Sequence, residues 1–516
     1  MPQQEYDVGS LEDCENGAIR PVEVDGEAVL LFRDGDAVYA VGGTCPHAGA
    51  PLIEGLRHGN KIICPWHKAE FCLRTGAVLE PPAVDSLARF EVRLEAGRVK
   101  LSHPAETPRT SSPDARCFAI VGGGAAGALA AQTLRQEGFG GRIVIFDREN
   151  RVPYDRTVLS KYFLSGKPGA EKSPLQSQTF YRQHQIERLT AEVTRVDAAE
   201  RRITCADGFV LNYDAALLAT GGSPKRPSIQ GASGPNVFVL RNRTDADAVL
   251  ARAERSERAI ILGTGFIGME VGASLRERGL DVTVITQEHA PFEKQLGARI
   301  GSVFTRMHEG QGVTFRFNQQ IAAIDSNGGA TSVALKSGDK VEADLVVIGF
   351  GVTPETGYVN GVDRNNDGSL TVDPRLRVAD RLFAAGDIAR FPLRGDGDPI
   401  RVEHWRVAEQ QGRIAALNML GRDVRYDAVP VFWTIQYMKQ LVYIGHATEW
   451  DDIVVHGDLG KPEFIAYYVK NRRVAAAIGM DRDPDTSALI GLLTVKRDWT
   501  PEDLGSNPAK VLEAMA

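Results

Sequence analysis

The sequence predicts a multidomain fold, in which a small all-β domain is followed by two α/β domains and a C-terminal α+β domain. Three observations predict it. A chain of 516 residues is too long for one ordinary core. An apolar run ending in a glycine-rich turn and a helix-like stretch occurs twice, at Gly122 and again at Gly263. Short β-rich runs broken by turns occupy both ends of the chain. Hydrophobic residues at 43% and charged residues at 25% are the balance of a soluble globular protein, and a net charge of -7 is too mild to argue for nucleic acid or an anionic membrane as partner. Met1 to Glu15 lacks the basic and then apolar regions of a secretory signal, and no apolar run is long enough for a membrane span, so the cytoplasm is the expected location.

The first domain is expected over residues 1–104. Ala28–Phe32, Ala37–Val41, Phe90–Leu94 and Arg98–Leu101 read as short antiparallel strands. Among them lie two pairs of ligand-type residues, Cys45-Pro-His47 and Cys64-Pro-Trp-His67, each beside turn residues as in a loop at a hairpin tip. Two thiolates and two imidazoles in that order suit a 2Fe-2S cluster with the cysteines on one iron and the histidines on the other, which is Rieske ligation. Zinc is the alternative, but zinc sites more often pair C-x2-C with H-x3-5-H. Cys14, Cys72, Cys117 and Cys205 are scattered and read as ordinary thiols of a reducing compartment. Where high-potential Rieske proteins carry a loop disulfide and hydroxyl donors, this chain has Ala50, Trp66, Ala69 and Phe71. Fewer donors to the sulfurs stabilise the reduced form less, so a low-potential cluster is expected.

Residues 105–115, rich in Pro, Ser and Thr, read as a linker that lets the small domain reach a neighbouring site. Cys117–Val121 then reads as a buried strand, Gly122-Gly-Gly124-Ala-Ala-Gly127 as a turn opening a helix, and Arg142–Phe146 as a strand ending in Asp147. Glycines at those places let the backbone turn tightly and approach a pyrophosphate at the helix amino terminus, while an acid about twenty residues on binds a ribose hydroxyl. The unit is Rossmann-like, with Asp147 and Glu149 both candidates for the acid. The pattern recurs in Ala259–Leu262, Gly263-Thr-Gly265-Phe-Ile-Gly268 and Asp281–Ile285, with Glu270 on the helix and Glu288 past the second strand. Two such units imply two dinucleotides. Leu382-Phe-Ala-Ala-Gly-Asp387 is a short apolar strand that delivers one carboxylate at a turn. The first α/β domain is expected over 116–240 and 363–425 and the second over 241–362. The C-terminal α+β domain, expected over 426–516, has strands such as Phe464–Val469 and Arg473–Ile478 before a helix at Ser487–Thr494.

Taken together, Gly122, Gly124 and Gly127, the segment Pro153-Tyr-Asp-Arg156-Thr-Val-Leu-Ser-Lys161, Ala219-Thr-Gly221, the second glycine motif with Glu270, and Phe383-Ala-Ala-Gly-Asp387 resemble the flavin-dependent NADH:ferredoxin reductases that serve oxygenases. With the Cys/His domain in front, the whole chain resembles an apoptosis-inducing-factor-like, Rieske-containing oxidoreductase. The resemblance implies FAD on Gly122, Gly124 and Gly127, its ribose on Asp147 or Glu149, and the rest of it on Arg156 and Asp387. It implies NADH on Gly263, Gly265, Gly268 and Glu288, and a meeting of Lys161 with Glu270 beside the flavin ring. There an ammonium favours the anionic reduced ring and a carboxylate holds the ammonium in place. Without the resemblance the two are a surface lysine and a helix acid.

Trp405, in Glu403-His404-Trp405, is a candidate to stack on a ring or to bridge flavin and cluster, or else a core residue at a helix start. The chain also departs from the reductases. Thr286 stands where many have an acid, and Ile435 replaces an acid in Phe432-Trp-Thr-Ile-Gln436. No arginine lies between Asp281 and Gly297 to neutralise a 2'-phosphate, which favours NADH, although Lys294 leaves NADPH open. No cysteine lies between Cys117 and Cys205, so electrons cannot leave a flavin through a local thiol. The expected route is therefore NADH to FAD to the 2Fe-2S cluster, of this chain or of a partner subunit, and on to an external electron acceptor protein such as an oxygenase. A homodimer is left open. The alternative is an NADH-responsive redox sensor of the apoptosis-inducing-factor type.

Overall fold

The computed structural model describes residues 4–103, 112–168, 173–326, 331–495 and 498–515. The N-terminal part is all β. A six-stranded antiparallel sheet runs in the order Tyr6–Ser10, Arg98–Ser102, Arg89–Glu95, Ala37–Gly42, Glu27–Asp34, Ile19–Val24. Beside it lies a small four-stranded sheet of Leu56–His58, Lys61–Ile63, Glu70–Cys72 and Val78–Glu80. Alternation in Glu27–Asp34 sends Val29 and Leu31 into one buried cluster and Leu30 and Phe32 into another that carries Cys45 and Cys64. The linker expected over 105–115 lies outside the described residues as far as 111. From 112 onward the chain is strand rather than linker, because Ser112 and Pro113 already pair with Phe139 and Gly140.

Two parallel sheets follow. The first runs in the order Ile186–Thr190, Phe139–Asp147, Ser112–Val121, Ala215–Leu218, Leu382–Ala384, with Arg377–Ala379 antiparallel at its edge. Its central strands are buried on both faces, which is why Phe118–Val121, Ile143–Phe146, Ala215–Leu218 and Leu382–Ala384 read as unbroken apolar runs. Helix α1 (Ala125–Gln136) leaves the first strand directly after the glycine turn. The second sheet runs Val237–Phe238, Leu345–Ile348, Arg258–Leu262, Asp281–Ile285, Thr314–Arg316, all parallel. Helix α2 (Phe266–Glu277) follows its glycine turn, and α3 (Glu293–Glu309) comes next. The edges of this unit differ from 241–362: Val237–Phe238 already belongs to its sheet, and Val359–Asn360 has returned to pair with Val193–Asp197.

Helix α4 (Trp405–Met419) packs along α1. The C-terminal part is a five-stranded antiparallel sheet in the order Val431–Gln436, Lys439–Gly445, Arg473–Met480, Glu463–Lys470, Asp452–Asp458, followed by α5 (Asp483–Thr494). Helix α5 starts four residues before the expected Ser487 because Pro484 suits the first turn, where its missing N–H costs nothing. Among the described residues no helix is long and apolar enough to cross a membrane.

Candidate functional site: a Cys/His centre against two dinucleotide cavities

Both ligand loops are held by backbone bonds that leave the ligand side chains free. The first follows Ala37–Gly42 and is closed by the Thr44–Pro51 bridge and by Cys45 N donating to Ala50 O at 2.9 Å. The second is the tip of the hairpin formed by Lys61–Ile63 and Glu70–Cys72, with Cys64 N donating to Ala69 O at 2.8 Å. The Cys45 thiol hydrogen-bonds Cys64, which drives Cys45 up and pulls Cys64 down to about 7. The His47 and His67 rings stand 4.8 Å apart and perpendicular. Burial favours their neutral forms, the forms that ligate metal. Both Nδ1 atoms are buried without a hydrogen-bond partner among the described residues, and a native core rarely leaves such atoms unpaired. Two thiols and two orphaned imidazole nitrogens, arranged as a pair of pairs, fit a 2Fe-2S cluster. Among the described residues no three His, Cys, Asp or Glu side chains are grouped to hold a single ion.

A cavity of about 800 Å³ lies at the carboxyl ends of the first parallel sheet. Gly122, Gly124 and Gly127 form part of the turn beneath it, each with its own constraint. A Cβ on Gly122 would stand 2.3 Å from Ala219 O, and one on Gly127 1.9 Å from Gly122 O, so both are close-packing glycines. A Cβ on Gly124 would meet nothing, because that position faces the cavity at the start of α1. Asp147 and Glu149 both line the cavity. Asp147 lies against Gly123, where a Cβ would come 2.2 Å from its Oδ2, and burial raises its carboxyl. Glu149 accepts from Arg156 at 2.6 Å and from the Tyr154 hydroxyl at 2.7 Å. Asp387, on the opposite wall, pairs with Arg241 at 2.7 Å.

A second cavity of about 600 Å³ opens over the second sheet and shares Thr157, Ile267, Glu403, His404 and Trp405 with the first. Its turn repeats the pattern: a Cβ would crowd Gly263 at 2.8 Å and Gly268 at 2.9 Å but come no nearer than 3.7 Å at Gly265. Glu288 lines the wall, accepting from Thr264 Oγ1 at 2.9 Å, with Lys294 at 3.3 Å. Thr286, at the position departing from the reductases, contacts Thr264 at 3.1 Å and receives Glu288 N.

Lys161 and Glu270 do meet, 2.9 Å apart and almost wholly buried. The single π-type turn Leu159–Phe163 carries the lysine, α2 the glutamate. Ser160 Oγ and Thr434 Oγ1 donate to the two Glu270 oxygens at 2.5 and 2.7 Å, so Thr434 gives the C-terminal sheet a direct hold on the pair. Ile435, next to it, lines a small recess beside Lys161 and Glu270. Trp405 lies where the cavities join, its Nε1 donating to Glu409 at 2.9 Å.

Sequence reasoning missed three residues. Trp433 lines the second cavity, and its ring lies 5.2 Å from His67. Glu409, fully buried and raised by burial and then by Asp155, was findable as the helical i+4 partner of Trp405. Lys68 is 1% exposed, a position for a lysine that no local pattern announces.

Residues 117–412 match the pyridine nucleotide-disulphide oxidoreductase family. The chain belongs to that family. Residues 4–91 of this oxidoreductase match the Rieske [2Fe-2S] domain and 431–516 the reductase C-terminal domain. The oxidoreductase is 37% identical over 514 residues to apoptosis-inducing factor 3 of Mus musculus, covering 96% of this chain and 84% of that protein. It is 32% identical over 388 residues to rhodocoxin reductase of Rhodococcus erythropolis, covering 74% of this chain and 90% of that one. The crystal structure of the ferredoxin reductase for the CYP199A2 system from Rhodopseudomonas palustris superposes with a TM-score of 0.73 at 28% identity, over 78% of this chain and all of the other. FAD, NAD and a Rieske 2Fe-2S cluster are thus the cofactors of this oxidoreductase.

Proposed function

We propose that the chain carries electrons from NADH through FAD to a Rieske 2Fe-2S cluster and on to an external acceptor protein such as an oxygenase. FAD, when bound, takes two electrons and gives them up singly, which matches a two-electron donor to a one-electron cluster. One observation carries the reading: Trp433, on the wall of the second cavity, has its ring 5.2 Å from the ring of the ligand His67. The two parallel-sheet units read as Rossmann-like, one for each dinucleotide. In this reading Gly122, Gly124 and Gly127 cradle one pyrophosphate and Gly263, Gly265 and Gly268 the other. Asp147 and Glu288 take the riboses, while Arg156 and Asp387 line the remaining wall of the FAD cavity. Lys161 presents its ammonium, held by Glu270, where the cavities approach each other. Trp405 closes that junction against water. Cys45, Cys64, His47 and His67 hold the cluster.

Anaerobic stopped-flow absorbance with NADH tests the route. Flavin bleaching followed by reduction of the cluster is expected; a flavin that reduces while the cluster stays oxidised over many turnovers refutes it.

A further inference from the structure

The C-terminal and Rieske parts adhere to the rest of the molecule by different chemistry. Leu441, Tyr443, Phe464 and Ile478 of the C-terminal sheet share one buried apolar cluster with Ala259, Met269 and Phe304 of the second parallel-sheet unit. Among the described residues of the Rieske part, Leu56 alone packs into a neighbouring apolar cluster. Apart from the approach of the His67 and Trp433 rings, the contacts across its seam are polar and directional. The buried Lys68 ammonium donates to Pro65 O of its own ligand loop at 2.5 Å and to Asp483 Oδ1 of α5 at 2.8 Å. Gln440 Nε2 donates to Trp66 O, between the ligands Cys64 and His67, at 2.8 Å. Gln410 of α4 donates to Glu80 at 2.5 Å, and Arg413 of α4 to Leu79 O. Gln132 of α1 donates to Val84 O at 2.7 Å.

These contacts reach four separate elements, α1 and α4 of the flavin half and the strand Lys439–Gly445 and α5 of the C-terminal part, and Trp433 and His67 meet at the same seam. Lys68 sits at φ +64, a backbone strain that persists only where surroundings over-determine it. From these contacts we infer that the face beside Trp433 takes this chain's own Rieske domain as its electron acceptor, docked in cis, and that a separate ferredoxin is shut out while it is docked. The inference rests on the electron route proposed above and names its acceptor. Covalent tethering supports it, since a domain on a short linker is present at an effective concentration on the order of millimolar, beyond what a diffusing carrier reaches. The polar make-up of the seam fits a docked domain rather than a fused core.

The test is the order of the cluster-reduction step in full-length holoprotein mixed anaerobically with NADH across a wide range of protein concentration. Docking in cis gives a rate constant that does not change with concentration. Asp483→Ala, which leaves the buried Lys68 cation without its carboxylate, slows that step at least about tenfold while NADH-to-ferricyanide turnover is unchanged. Arg413→Met gives the same split from the other side of the seam. A cluster-reduction rate that rises in proportion to protein concentration, or one untouched by both substitutions, overturns the docking. A cluster that never reduces overturns the electron route itself, a different result from either.

Discussion

Glu270→Gln isolates the charge of the pair beside the two cavities. Lys161 and Glu270 stand 2.9 Å apart with side chains 9% and 3% exposed. At an effective permittivity of about 20, their attraction is about 6 kcal/mol before desolvation. Each ion loses several kcal/mol of hydration on burial, so the intact pair contributes little net stability, whereas removing one member costs about 3–5 kcal/mol. The glutamine keeps an oxygen for Ser160 or Thr434, so the loss expected for Glu270→Gln is near the lower bound, about 3 kcal/mol. Glu270→Leu also leaves the hydroxyl donors of Ser160 and Thr434 without their acceptor, at about 1–3 kcal/mol each and nearer the lower figure for Thr434, which still accepts from Gln436. The double variant Lys161→Met with Glu270→Leu removes both ions and is expected to cost at least about 2 kcal/mol less than the two singles together. Urea unfolding followed by flavin release reads the wild type, Glu270→Gln, the singles Lys161→Met and Glu270→Leu and the double variant, because the pair joins the Leu159–Phe163 turn, α2 and, through Thr434, the C-terminal sheet. Additivity of the two singles to within about 0.5 kcal/mol would refute the coupling.

Burial, partly offset by the hydrogen bond with Gln436, holds His308 down to about 4 from 6.5. The folded state binds fewer protons than the unfolded chain between those values, so stability is intact above pH 6.5 and falls as pH drops towards 4, by about 3 kcal/mol; unfolding against pH for His308→Gln lacks that part of the loss. Gly127→Ala forces a Cβ to 1.9 Å from Gly122 O and lowers the melting temperature of apoprotein, whereas Gly124→Ala, which meets no protein atom, leaves apoprotein melting unchanged and weakens FAD binding; calorimetry and FAD titration separate the two. Ala50, Ala69 and Phe71 are fully buried around the ligand loops and offer the cluster no side-chain donor, so an EPR-monitored redox titration is expected to place it near the lower end of the Rieske range, roughly -150 mV. Glu288→Ala raises KM for NADH about tenfold with kcat little changed, as loss of uniform binding to a ribose requires.

Much of this architecture was legible because it is local. Apolar runs such as Arg258–Leu262 and Asp281–Ile285 form strands at the expected positions, and the two glycine turns deliver α1 and α2 directly. The grouping of Cys45 with His47 and of Cys64 with His67 was readable from spacing, since each pair sits in one loop, and the fold then sets the two rings 4.8 Å apart. Lys161 and Glu270 needed the family resemblance, because 109 positions separate them and only the fold makes them neighbours. Trp433 and Lys68 were illegible in their roles, as each depends on how one domain sits against another, whereas Glu409 follows locally from the i+4 spacing to Trp405. Near 115, 240 and 362 composition marks where a linker is tolerated, while strand pairing, at Ser112, Val237 and Val359, decides where a sheet begins.

That difference bears on why the seam beside the cluster holds so many charges. Lys68, paired with Asp483, and Arg406, 3.9 Å from Glu80, are each 1% exposed, and two Arg406 nitrogens lack hydrogen-bond partners among the described residues. Apolar residues of similar size would adhere better, as they do where the C-terminal sheet meets the second parallel-sheet unit. An apolar seam, however, tolerates sliding and rotation, since it is held by contact area rather than direction. Hydrogen bonds from Lys68, Gln440, Gln410 and Arg413 have fixed lengths and angles, so they define one orientation of the Rieske domain. The ring-to-ring approach of His67 to Trp433 depends on that orientation. Polar groups at this seam therefore give up binding strength for register, and register is what the electron transfer proposed above requires.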